Sequence, residues 1–119
     1  MSYIFDVRET TVWSPANQVG KLYVGMLNAA ADVLRLPSGL GDDLGDMYEI
    51  DPARFGSLVH EMLSTRAASD HQYLWMLLDG ILPISIAMLE RGGVPVVARG
   101  EMEEKYLAMV HAMKLPMAA

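Results

Sequence analysis

Between Tyr73 and Leu89 the chain carries a single formal charge, Asp79, inside its most apolar stretch, QYLWMLLDGILPISIAMLE from Gln72 to Glu90. An acid held in apolar surroundings is driven toward its neutral form, which suits it to proton transfer near neutral pH. Pro83 follows four positions later, and a proline inside a helix lacks a donor while its ring strikes the carbonyl four residues back. That carbonyl belongs to Asp79, so a free backbone oxygen and the isolated acid are expected on one residue, at a kink. Two histidines could assist: His60, beside the apolar stripe of an earlier segment, and His71, a neutral base at a pocket mouth. With Trp75, Met76, Tyr23, Phe55 and Met109 as apolar walls, the chemistry would be cofactor-independent proton transfer on a hydrophobic small molecule, of isomerase or cyclase type. A plainer expectation competes with it. At about 100 degrees per residue, Gln72, Asp79 and Glu90 share one narrow stripe beside Pro83 and Ile86, and that stripe is where the helix meets solvent.

Other chemistries find fewer residues. The chain has no cysteine, which removes thiolate nucleophiles, disulfides and cysteine-bound zinc. No second histidine stands four places after His60, so the two-histidine zinc pattern is absent, and no cofactor or metal is expected. Asp42, Asp43, Asp46, Glu49 and Asp51 cluster as hard cations require. They lack the alternating acids, sixth-place glycine and closing glutamate of an EF-hand, so a solvated acidic loop is expected. A net charge of −6 without any run of Lys or Arg argues against nucleic acid and anionic membrane as partners. The N-terminus MSYIFDVRET lacks the basic and apolar blocks of a secretory signal, so a cytoplasmic protein is expected.

The elements that must position these residues are readable in part. A chain of 119 residues, with no repeat or linker, is expected to form a single domain over 1–119. Tyr3, Phe5 and Val7 alternate with Ile4, Asp6 and Arg8, and Thr10 to Trp13 is β-branched and aromatic; a short hairpin turning near Arg8 and Glu9 follows. Ser14 and Pro15 read as a helix start. From there Val19, Leu22, Tyr23, Met26, Ala29, Ala30 and Val33 lie on one side of a helix ending before Pro37. Gly20, Gly25 and Ala29 to Ala31 would let another backbone approach closely. The stretch PSGLGDDLGDMYEI reads as a loop.

Asp51 and Pro52 repeat the cap-and-proline start, and Phe55, Leu58, Val59, Met62 and Leu63 give the next helix an unbroken apolar stripe to about Thr65. Ser69 or Asp70 is placed to cap the apolar run from Gln72. Seventeen residues between Tyr73 and Leu89, interrupted by Asp79, Gly80 and Pro83, make a poor membrane span, so this run is read as a central helix of a globule. Val94 to Val97 is a candidate edge strand for the hairpin, since Pro95 keeps it off a sheet interior. Glu101, Glu103 and Glu104 open a last helix, with Met102, Tyr106, Met109, Val110 and Met113 as its stripe and Lys114 at its end. The fold class is mainly α with a small β element (α+β), about four helices around a central apolar helix, with a hairpin open to a third edge strand.

The run TVWSPANQVGKLYVGMLNAAADVLRLPSGLGDDL, followed by YEIDPARFGSLV and MLERGG, resembles a family of short actinobacterial proteins described only as a domain of unknown function. The Trp-Ser-Pro and Ile-Asp-Pro helix starts joined by a glycine-rich loop carry the likeness, which spans most of the chain. It implies a shared fold; no catalytic residue comes with it.

Two functions compete. The first is a non-catalytic helical protein, a homo-oligomer and most simply a homodimer, that binds a protein partner through Met-rich and small-residue faces. Ten methionines and a 52% hydrophobic composition supply more periodic apolar surface than so short a chain easily buries. The second is the small-molecule enzyme or binder built on Asp79.

Overall fold

A computed structural model describes residues 3–41 and 45–115. Its elements run β1 (Ile4–Val7), β2 (Thr10–Trp13), α1 (Asn17–Leu34), β3 (Met47–Glu49), α2 (Pro52–Ala68), α3 (Gln72–Leu78), α4 (Leu82–Arg91) and α5 (Glu101–Met113). The α+β class is as expected: helices carry the fold and a small mixed sheet of order β2-β1-β3 caps it.

The hairpin turns at Arg8 and Glu9, both at positive φ (50° and 69°), as a two-residue turn needs if its twist is to match its strands. A bulge between Phe5 and Asp6 breaks the antiparallel register. It lets the neighbours Val12 and Trp13 both face inward, which strict alternation forbids. The third strand is β3, parallel to β1 and pairing Phe5 with Tyr48. It arises within the stretch expected to be a loop. Val94 to Val97 forms no strand; both edges of β1 are already occupied, by β2 and β3. Phe5 stacks between Trp13 and Tyr48 at centroid distances of 5.5 and 5.7 Å and meets Tyr23 of α1 edge-on.

α1 starts two residues after Pro15. The carbonyl of Pro15 accepts from Tyr3 N–H at 2.9 Å, which holds the chain to the strand region until Ala16, and no side chain caps the helix. Asp51 caps α2 as expected, accepting from the amides of Ala53 and Arg54 with Pro52 in the first turn. The stripe Phe55, Leu58, Val59, Met62 and Leu63 is wholly buried. α2 packs against each of the other helices.

The apolar run at 72–91 forms the inner helical segment, in two parts. Gly80 and Ile81 leave the α3 ladder through short backbone bonds to Leu77 and Leu78, and α4 begins at Leu82. Pro83 therefore sits in the first turn of α4, where its missing donor costs nothing, and not in a helix interior where it would kink the axis. The run is long and apolar enough by composition to cross a membrane. Its α4 half is spent on the core: Leu82, Ile86, Met88 and Leu89 are completely buried. Its α3 half lies at the surface, with Tyr73, Met76 and Leu77 exposed and Leu78 turned in.

Candidate functional site

Asp79 sits at the α3 to α4 turn, and α2 supplies its main partner. Arg66, in the last turn of α2, donates from Nε to Oδ1 at 3.0 Å and from Nη2 to Oδ2 at 3.3 Å. Tyr106 of α5 donates its hydroxyl to Oδ1 at 2.7 Å. The guanidinium lies over the Trp75 ring at 4.5 Å and the Tyr106 ring at 5.0 Å. Trp75 is itself held by its indole N–H donating to the Ser69 carbonyl at 2.7 Å. Burial raises the Tyr106 phenol above its ordinary range, the hydrogen bond to Asp79 and its charge add to the rise, and Arg66 opposes it. This arrangement ties three helices and a turn together. It leaves the carboxylate engaged on both oxygens, with the Arg66 side chain 17% and the Asp79 side chain 36% exposed.

The histidines are elsewhere. The His60 ring bonds through Nδ1 to the Gly56 carbonyl at 2.8 Å and through Nε2 with Val97 N–H at 3.4 Å. A carbonyl can only accept and an amide only donate, so the two contacts fit Nδ1 as donor and Nε2 as acceptor. His71 is the N-cap residue of α3, exposed, its ring 5.9 Å from that of Tyr73 and its amide held by the Ser69 hydroxyl. Of the apolar walls expected around Asp79, Tyr23 and Phe55 are core residues, Trp75 stacks on Arg66, and Met76 and Met109 are exposed on separate helices. They do not converge on one hollow. Asp42 and Asp43 of the acidic loop lie outside the described residues. Among the described residues no three His, Asp or Glu side chains are grouped to hold a metal ion.

Arg66 escapes a reading of the sequence because α2's apolar stripe ends before it. The available signal is Asp79 itself: a lone acid in an apolar run requires a cation or strong donors from another element. Nothing in the sequence says which.

α1 differs most from expectation. Its buried residues are Gly20, Tyr23, Val24, Leu27 and Ala31. Of the side expected to face the core only Tyr23 is buried, whereas Val19, Leu22 and Val33 are 51%, 64% and 78% exposed. The inner face is set by shape: the Tyr3 ring fills the space beside Gly20 so closely that a Cβ there would overlap it. The outer face carries an open groove of about 520 Å³ lined by Gln18, Lys21, Leu22, Gly25, Met26 and Ala29. Met26 closes one side, its methyl reaching the glycine of the α3 to α4 turn, Gly80. α1 is thus apolar on two faces, one of them uncovered.

Together these features define a small α+β protein whose polar cluster is structural in geometry and which carries an open apolar groove on one helix. The chain belongs to DUF6086, a family of unknown function, whose match covers residues 1–119. No curated protein and no solved structure matches it.

Proposed function

We propose that this is a non-catalytic helical interaction protein, a homodimer that holds a protein partner through its methionine-rich and small-residue faces. One observation carries the reading: α1 is apolar on both sides and its outer side is uncovered within the monomer. Apolar patches of this kind mark interaction surfaces more often than they are left in water. A two-fold pair is the commonest way for a single chain to cover one. Tyr73, Met76 and Leu77 on α3 and Met102, Met109 and Met113 on α5 remain exposed and would serve a different protein, since unbranched thioethers adapt to irregular shapes. A cytoplasmic location and an actinobacterial source belong to the same proposal and rest on the sequence patterns above.

Proton transfer at Asp79 has less support. A general base needs a free lone pair facing a substrate, and Asp79 accepts from Arg66 on both oxygens and from Tyr106 on Oδ1.

An 18-residue helix spans roughly 27 Å, so its face lies at the small end of specific interfaces and micromolar association is expected. Sedimentation equilibrium from about 1 µM to 1 mM tests the reading. The wild type is expected to dimerise across that range, and Leu22→Glu to remain monomeric with unchanged helix content, because Leu22 makes no core contact. A wild type that is monomeric at the highest concentration would overturn self-association.

A further inference from the structure

We infer that the two copies meet along α1 in antiparallel register, with the two-fold axis passing between Met26 and Leu27, so that Lys21 of each copy faces Asp32 of the partner subunit. This rests on the homodimer reading and adds its geometry. Lys21 and Asp32 are exposed, and among the described residues neither has an ion-pair partner. They are eleven residues apart, close to three turns, so both lie on the same flank of the outer stripe formed by Gln18, Leu22, Gly25 and Ala29. A two-fold axis that reverses one helix against the other brings like flanks together. With its centre midway between positions 21 and 32, it sets each lysine opposite an aspartate at both ends of the contact. A parallel pair would bring opposite flanks together, so Lys21 and Asp32 would each lie across from the other flank of the partner subunit and neither attraction would form.

The stripe is smallest near its middle, where Gly25 faces open space and a Cβ added to it would meet nothing within 4 Å, and bulkier at Leu22 and Val33. Reversal about that centre sets Leu22 at the level of position 31 of the partner subunit, between Ala29 and Val33 on its outer side. Self-complementarity in charge favours a second copy of this chain over an unrelated protein as the occupant.

Two measurements test the register separately from dimerisation. In the first, at about 0.15 M salt where the whole-molecule charge is screened, Lys21→Glu and Asp32→Lys are each expected to raise the dimer Kd about fivefold, and the double variant to return to within about twofold of wild type. In the second, single cysteines are introduced into a chain that has none. Gly25→Cys lies close to the axis and is expected to form an intermolecular disulfide under mild oxidation, whereas Leu22→Cys lies too far from its counterpart to do so. If both variants crosslink, the helices are parallel and the register is wrong. If the wild type dimerises but neither cysteine crosslinks and the charge reversal does not rescue, the contact lies on another face. A wild-type monomer at about 1 mM removes the dimer itself.

Discussion

At the scale of single residues the described buried polar side chains are arranged so that each is answered. Among the described residues no buried side-chain nitrogen or oxygen lacks a partner. Tyr23 illustrates how tightly this is done. Its hydroxyl lies 2.6 Å from the Ser85 hydroxyl, which donates to the Ile81 carbonyl at 2.8 Å. The serine's one proton is therefore committed, and the phenol must donate, which it can do only while protonated. Burial raises the Tyr23 phenol well above its ordinary value. A phenol raised by folding keeps its proton after the unfolded chain has lost its own, so above the ordinary value of 10.0 the native state binds more protons. Its stabilising contribution is full below pH 10 and is lost as pH rises past it, at about 1.4 kcal/mol per pH unit for one proton. Tyr106 acts in the same direction. Urea midpoints between pH 9 and 11 are expected to fall in the wild type and to fall less steeply in Tyr23→Phe. Equal slopes in the two proteins would mean that Tyr23 is not the titrating group.

At the scale of elements, local pattern and tertiary shape divide the work. The turn at Arg8 and Glu9 shows a conflict between them: both residues adopt positive φ without being glycine or asparagine, at roughly 1 kcal/mol each. The double substitution Arg8→Asn with Glu9→Gly is expected to raise unfolding stability by about 1 kcal/mol, the relief being partly offset by the freer unfolded chain. Chemical denaturation reads it, and a loss of stability would mean that these side chains contribute contacts outweighing their backbone strain. The hairpin itself is legible in the sequence, because alternation over Tyr3 to Val7 is a local signal, as is α2, whose cap and stripe coincide. The inward side of α1 is not. Two apolar stripes run along that helix, and periodicity cannot choose between them; the choice is made by Tyr3 against Gly20 and by the aromatic stack on Phe5. β3 is hidden for a related reason. Three residues in an acidic, glycine-rich stretch become a strand only because β1 offers them an edge from more than forty positions away. The break at Asp79 to Ile81 is legible as an irregularity, but Pro83 opens a new helix there and leaves no carbonyl stranded inside an old one.

At the scale of the whole molecule, charge and apolar surface pull against each other. Each copy carries −6, and two copies in contact stand with their centres about 25 Å apart, close to the 26 and 24 Å extents of the shorter axes. Treated as point charges in water they repel by about 6 kcal/mol without screening. With a Debye length near 30 Å at 0.01 M and 8 Å at 0.15 M, that repulsion falls to about 2.6 kcal/mol and then to a few tenths. The flanking Lys21 and Asp32 pairs are exposed and contribute at most about 1 kcal/mol each before screening. Apolar burial along α1 is insensitive to salt at these concentrations. The net expectation is that association tightens as salt is added, with the dimer Kd falling several-fold between about 0.01 and 0.15 M sodium chloride, because the repulsion relieved exceeds the attraction lost. Sedimentation or light scattering across that range reads the sign directly. A Kd that rises with salt would mean that opposite charges, and not the uncovered apolar side of α1, hold the copies together.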